Sequence, residues 1–455
     1  MSISERTALT GGGEPLTDII VSFVTGTPAA DVPEAALGSA KLMILDTIGV
    51  SLAAVNHPIG KIITRYAIDA GGETTATVLG AGAKASPPMA ALANGTLANA
   101  LDFDPSGHLA THVLPSALAM VEHNRLSGRD LLDAFVIGIE VGRKLTQAFD
   151  SQRVNEGGPT YRGWWHVGLV GPITAAVTAA RLLKLDRRQT AMAIGIASCN
   201  SGGFRRNMGT MAKALHSGNA ARDGIQAAEL AKRGFTADAA IIEAPLGFMA
   251  ALGQAEERDC RALSERLGRP YFLEGKLRLK PFPACSRGHP GIDAALALRR
   301  RENFKDDEIE AVEADLEPFS LLRSEPDDVE AAGFSAAFML SVALIFGAYD
   351  LDQLCEETID DPRVRALMKR VKHVPANGAG KVTVRLSDGR SLSADVEPVR
   401  KLATLAEIEP KFYQCAERVL NEDTIYALQD LILRLDEQPN IDWLMAVAGA
   451  RGSPD

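Results

Sequence analysis

Between Leu16 and Gly268, apolar residues recur at helical spacing in alanine-rich stretches separated by short polar breaks, which predicts helices packed closely on one another. The stretch ASPPMAALANGTLANAL predicts a helix with Ser86 at its N-cap and Pro87 and Pro88 in the first turn, where a missing amide hydrogen matters little. Another, SGNAARDGIQAAELAKRG, is expected to start near Ser217 and to stop at Gly234, just after Lys232 and Arg233. Near residue 269 the pattern changes. GKLRLKPFPA alternates like a strand, EIEAVEADLEP does so more weakly, and KVTVRLSDGRSLSADVEP reads as a hairpin turned at Ser387, Asp388 and Gly389. Helical patterns, GIDAALALRRR and FSAAFMLSVALIFG, fall between these strands. The tail returns to amphipathic helix in LAEIEPKFYQCAERVL and DTIYALQDLILRL. The expectation is a mainly α protein: a large helical domain over residues 14–268, a smaller α+β domain over residues 269–400, and helices over residues 401–450 that rejoin the first domain.

With 455 residues the chain can bury more than one core and enclose a water-excluding site. A net charge of −10 argues against a nucleic-acid surface, and any anionic ligand would need a local basic pocket. Cys199, Cys260, Cys285, Cys355 and Cys415 are too far apart for a local zinc or iron–sulfur ligand set and read as free thiols. The opening residues carry no apolar signal segment, and no unbroken apolar run reaches the roughly 18 residues of a membrane span. A cytoplasmic protein with no membrane association is expected.

Four stretches could carry chemistry. In LDFDPSGHLATHVLP, residues 102–114 are expected to connect a helix ending near Leu101 to one with Pro115 in its first turn. Asp102 would then lie at a helix C-terminus, where the dipole disfavours a carboxylate. His108 and His112 are four apart, but Leu109 stands where a zinc-protease helix has glutamate, and Gly107 argues for a loop. The second stretch, YRGWWHVGL, places His166 beside two tryptophans, which would desolvate the ring and keep it neutral. In GGFRRNMGTMAKALHSGNAARDG, Arg205, Arg206, Lys213 and His216 lie among small residues before a helix, a plausible carboxylate or phosphate cradle. In LRLKPFPACSRGH, Lys280 ends an apolar strand. If desolvated or set near other cations its pKa would fall, making it a usable base, with Cys285 as a pocket liner. Each stretch also has a plainer reading: capping aspartates with solvated histidines, a packed core histidine, a basic surface turn, and an exposed strand-end lysine.

These residues resemble the MmgE/PrpD superfamily of 2-methylcitrate dehydratases, cis-aconitate decarboxylases and iminodisuccinate epimerases. The resemblance runs through LMILDTIGVSLAA, NGTLANALDFD, GHLATHVLPSALAM, GRDLLDAFVIGIEVGRKL, GTMAKALHSGNAARDGIQAAELAKRGFTA, LKPFPACSRGHPGIDA and DPRVRALMKRV, in that order. It implies a helical domain with a smaller α+β lid domain, a homodimer, and an active site between the domains that uses no metal or organic cofactor. Asp102, His112, His166, Lys213 and Lys280 match the family's acid/base and substrate-binding positions. Asp104-Pro105-Ser106, Leu109 and Cys285 depart from the decarboxylases, which have Asp-Asp-Thr, proline and histidine there.

The implied activity is a dehydratase-like lyase acting beside a carboxylate of a small di- or tricarboxylate. Lys280 or His112 would exchange the proton, Asp102 would orient His112, and His166 with Lys213 would bind carboxylate or assist the departure of water. Arg205, Ser106, Tyr161, Cys285 and His108 would line the substrate. An epimerase using Lys280 opposite Tyr161 or His112, and a catalytically silent binding protein, remain the alternatives.

Overall fold

The computed structural model describes residues 14–150, 162–252, 267–316, 323, 325–374, 380–398 and 400–451. Its larger hydrophobic core runs from Leu16 to Leu279 and resumes at Leu402. Helices Glu34–Ala53, Pro87–Ala100, Ala110–Asn124, Gly128–Asp150, His166–Leu182 and Met211–Lys232 build it. Glu34–Ala53 is long and apolar enough to cross a membrane by length and composition, yet 72% of that stretch is buried within the fold. Its partner from the tail is Leu405–Ala416, which rests Phe412 so close to Gly49 that a Cβ there would lie 2.8 Å from the ring.

The contact that sets up the site is the crossing of Pro87–Ala100 with Met211–Lys232. A Cβ on Gly95 would fall 2.9 Å from the Cα of Gly218, and one on Gly218 would fall 2.3 Å from the carbonyl oxygen of Leu92. Only glycine allows these backbones to approach so closely, and the approach delivers Lys213 to the end of the first helix, where Asp102 begins. The second helix starts at Met211 rather than near Ser217, which is buried mid-helix and hydrogen-bonded to the Thr111 hydroxyl at 2.7 Å. Its polar first turns resemble a loop in sequence because Lys213 turns inward to a buried partner. Pro115 likewise is interior to its helix, so the connection ends at Leu109 and not at residue 114. The helix starts early because the carbonyl of His108 accepts from the amide and hydroxyl of Thr111, at 3.3 and 2.6 Å.

The smaller core spans Phe282 to Leu386, with Trp165, Val167 and Met208 reaching in from the helical side. Two short strands, β1 (Ala76–Val78) and β2 (Ala83–Ala85), pair on the helical domain. The α+β part carries β3 (Ile309–Ala314), β4 (Val371–His373), β5 (Lys381–Leu386) and β6 (Ser391–Asp395), in the order β4-β3-β5-β6. The β3–β4 pair is parallel; β3–β5 and β5–β6 are antiparallel. Val382, Val384 and Leu386 alternate inward, and the β5–β6 hairpin turns where expected, with Gly389 at a φ of 88°. Helices His289–Arg301 and Ala336–Phe346 cover the sheet.

GKLRLKPFPA is not a strand of this sheet. Leu277 and Leu279 point inward as the alternation predicts, but Pro281 and Pro283 lack amide donors, and the segment makes only an isolated antiparallel bridge, Leu279 to Leu402. The chain passes between the cores there: Leu279 belongs to the larger, Phe282 to the smaller, and Lys280 lies between them.

Candidate active site

The connection from Asp102 to Leu109 is held in a conformation that side chains rarely adopt. Asp102 has a φ of 49° and His108 one of 59°, flanking Gly107 at 93°. Such backbone persists where surrounding contacts over-determine it, and here they do. The Lys280 ammonium donates to the Asp102 carbonyl at 2.6 Å, and Lys411 donates to the next carbonyl, that of Phe103, at 2.7 Å. The Asp102 carboxylate accepts from Lys213 at 2.5 Å and pairs with Lys280 at 3.0 Å. Burial opposes its ionisation, but the Lys213 and Lys280 ammoniums outweigh burial and hold the carboxyl well below the usual range.

Asp104, fully buried, accepts from the Asn99 side-chain amide at 3.0 Å and from His108 Nδ1 at 2.7 Å. Burial again opposes charge, and His108 outweighs it, so Asp104 is a carboxylate and Nδ1 of His108 carries the proton. The His108 ring is pushed toward its neutral form by burial, which leaves Nε2 with a lone pair 3.8 Å from Asp102. His108 also packs beside Trp165 and His166, at centroid distances of 5.5 and 6.0 Å. Asp102, Asp104 and His108 offer oxygen and nitrogen atoms within 4.8 Å of one another. Asp102 is already paired with the Lys213 and Lys280 ammoniums and Asp104 with His108, so a metal ion would have to displace a buried lysine and the His108 hydrogen bond.

The two remaining histidines of the cluster are neutral. His166 begins its helix, and its Nε2 lies 3.3 Å from the Gly107 carbonyl. Burial, with His108 nearby, lowers it to about 3. His112 is fully buried within Ala110–Asn124, both ring nitrogens lack a hydrogen-bond partner, and burial lowers it to about 3. An orphaned buried imidazole is costly unless something completes it, and a ligand is one such partner.

Two expectations are corrected. Asp102 does not orient His112, because the lysines take its carboxylate; the carboxylate–histidine pair is Asp104 with His108. Lys280 is not softened into a free base. Burial alone would lower it, but Asp102 and Asp104 outweigh burial and hold its ammonium above the ordinary value.

Ser106 accepts from Lys401 at 2.8 Å, and its amide donates to the Arg278 carbonyl at 3.0 Å. Cys285 is buried, with its thiol pushed up by burial and then by Asp102. Arg205 lies in a short turn, Arg205–Asn207, its amide donating to Gly163 at 2.8 Å, and its charge helps to keep His166 neutral. Tyr161 lies outside the described residues.

Sequence reading missed Asn99, Lys401, Lys411 with its partner Asp46, and His289. The Lys411 and Asp46 side chains pair at 2.6 Å beneath the loop. A lysine on the apolar stripe Ile408, Phe412, Cys415 and an aspartate inside LMILDTIGVSLAA were the available signals. His289 donates through Nε2 to the Ala284 carbonyl at 3.0 Å, leaving Nδ1 buried and unpartnered; burial and Lys280 lower it to about 3. An open cavity of about 860 Å³ lies elsewhere, against Arg299, Asp306, Arg363 and Arg370. Its arginines are already engaged: Arg299 and Arg363 with Asp306, and Arg370 with the Ile309 carbonyl.

Two cores meeting across a set of paired lysines, carboxylates and neutral histidines describe a two-domain, mainly helical protein with a cluster of ionisable side chains at the seam. The chain belongs to the MmgE/PrpD family: the family's N-terminal domain matches residues 18–261 and its C-terminal domain residues 282–437. It is 27% identical to the cis-aconitate decarboxylase of Mus musculus, covering 93% of this chain and 91% of the relative. It is 26% identical to the Homo sapiens enzyme of that name, over 97% and 96% of the two chains. The Aspergillus terreus cis-aconitate decarboxylase is 24% identical, over 97% and 98%. The likeness to enzymes of this type thus spans nearly the whole chain.

Proposed function

We propose that this protein is a cofactor-independent lyase that moves a proton at the carbon beside a carboxylate of a small di- or tricarboxylic acid. The observation that carries the reading is the Asp102 carboxylate buried between the Lys213 and Lys280 ammoniums, with neutral histidines around it. A proton beside a carboxylate is weakly acidic, and its removal builds an enolate-like dianion. Two fixed ammoniums in a water-poor site stabilise that charge without reorganising.

His112, with no partner for either ring nitrogen, is the proton acceptor in this reading, and His166 is the donor on the leaving-group side. In dehydration His112 takes the α-proton, the C–H electrons form the double bond, and the β-hydroxyl departs as water with the proton of a His166 imidazolium that forms once the anionic substrate is bound. An arriving polycarboxylate also changes the histidines. Its negative charge offsets the Lys213 and Arg205 charges that help to keep His166 low, so this ring regains proton affinity when substrate is bound.

A second reading, decarboxylation, is favoured by the likeness to cis-aconitate decarboxylases. The same lysines would stabilise the carbanion left as carbon dioxide departs, and a histidine would return a proton to carbon. Proton NMR in heavy water, against citrate, 2-methylcitrate, cis-aconitate, malate, tartrate and aspartate-derived dicarboxylates, tests both. New vinylic signals without carbon dioxide release indicate dehydration, and loss of carbon dioxide from cis-aconitate indicates decarboxylation. Either should vanish in Lys280→Ala. Exchange of a C–H signal with an unchanged skeleton would overturn the lyase reading in favour of an epimerase.

A further inference from the structure

The isolated bridge that carries the chain between the cores places a second lysine beside Lys280. Leu279 and Leu402 exchange both backbone hydrogen bonds, at 3.1 and 3.0 Å, in antiparallel orientation. The next residues, Lys280 and Lys401, therefore oppose each other and project to the same face, opposite the leucines. The Lys280 ammonium is matched by Asp102. Lys401 is not: its hydrogen bond is to the neutral hydroxyl of Ser106, at 2.8 Å, and among the described residues no carboxylate lies within ion-pair distance of it. A half-buried ammonium beside a like charge is an electrostatic deficit that an anion would fill.

We propose that Lys401 and Ser106 form a second carboxylate subsite of the active site, so that substrates carry at least two carboxylates, one toward Lys213 and Lys280 and the other at Lys401. The inference deepens the lyase reading and rests on it for the identity of the first subsite. The groups that bear on Lys401 are Lys280 and Arg278 on the crossing segment, Cys285 just beyond it, and Asp102 in the connection that also carries Ser106. Lys401 in turn acts on His289, at the start of the covering helix. Burial, then Lys280 and Arg278, bring the Lys401 ammonium down to about 8, so it is charged at neutral pH and loses that charge in mildly alkaline solution.

Calorimetric titration of the full chain with succinate, tricarballylate and the monocarboxylate butyrate, for wild type, Lys401→Gln and Lys401→Arg, tests the subsite. A lost charge-assisted contact should weaken succinate and tricarballylate binding by roughly tenfold to a hundredfold in Lys401→Gln. Butyrate affinity should not change, and Lys401→Arg should retain the dicarboxylate preference. Between about pH 7 and about pH 9 the wild type should lose that preference while Lys401→Arg keeps it. Equal loss for mono- and dicarboxylates, no loss at all, or a wild type that binds none of the polycarboxylates would overturn the subsite. If Lys401→Gln fails to fold, the pH comparison between wild type and Lys401→Arg decides. Turnover that is insensitive to Lys401 would refute the subsite and leave the lyase standing. Lys401-dependent binding without any turnover would do the reverse.

Discussion

Two buried aspartates are held by lysines and shifted in opposite directions. Asp102, at the seam between the cores, pairs with two ammoniums at 2.5 and 3.0 Å and is pinned as a carboxylate. Asp46, beneath the same loop in the helical core, pairs with Lys411 alone at 2.6 Å, and burial raises it to about 6 in spite of that partner. One buried ammonium does not offset the desolvation of a carboxylate; two do. The first arrangement suits a site that must present fixed charge, and the second suits a prop. Lys411 donates to the Phe103 carbonyl and lies 3.9 Å from the centroid of the Phe103 ring, so this pair holds the loop from below.

The largest effect is expected at the seam. Asp102→Asn leaves Lys213 and Lys280 buried without their shared carboxylate and should destabilise by about 3–5 kcal/mol in urea unfolding, with loss of all turnover. Lys411→Met should be milder, because Asp46 can protonate once its partner is gone, and the double variant Asp46→Asn with Lys411→Met should recover most of the loss. If Lys411→Met proved as damaging as Asp102→Asn, the contrast between the two aspartates would fail.

Acid sharpens the comparison. The carboxyl of Asp102 is lowered, so its contribution is complete above the unfolded value of 3.8 and disappears as pH falls through the folded value. That of Asp46 is raised, so its contribution is greatest below 3.8 and is lost as pH rises toward about 6. Unfolding measured across that interval should therefore show the stability of Asp46→Asn improving relative to wild type as pH rises. A constant difference would contradict the raised value.

A smaller effect is expected from His112, lowered from 6.5 to about 3 by burial. The unfolded chain binds this proton and the folded one resists it, so stability climbs with pH across that window. His112→Phe should flatten the acid limb by at most about 1.4 kcal/mol per pH unit. The smallest is Ser106→Ala, which removes the acceptor of Lys401 and should lose about 0.5–1.5 kcal/mol of substrate binding, read as a raised KM with little change in kcat.

The sequence made the residue types of the site legible, and left the pairings hidden. Asp102 stood out at a helix C-terminus, His108 in a glycine-containing loop, His166 beside two tryptophans, Lys213 among small residues and Lys280 at the end of an apolar segment, and the cluster gathers all five. Gly107 argued against a shared helical face for His108 and His112, and one does lie in the loop bonded to Asp104 and the other inside a helix with no partner. Local spacing cannot reveal that Lys213, 111 positions away, takes the Asp102 carboxylate, or that Lys411, 308 positions from Phe103, holds its carbonyl. Lys401 escaped for the same reason, since its meaning depends on a single backbone bridge between distant segments. That bridge also explains the misread strand at GKLRLKPFPA, where alternation reported burial without a sheet.

The lyase reading depends most on the lysine pair around Asp102, which stabilises the charge built up when a proton or carbon dioxide leaves the carbon beside a carboxylate. Its most direct test is heavy-water NMR of the wild type and Lys280→Ala, both shown to be folded, with cis-aconitate and the hydroxylated tricarboxylates. The account predicts formation of a new unsaturated product, or loss of carbon dioxide, in the wild type and its absence in the variant. Equal turnover by the two proteins would contradict it.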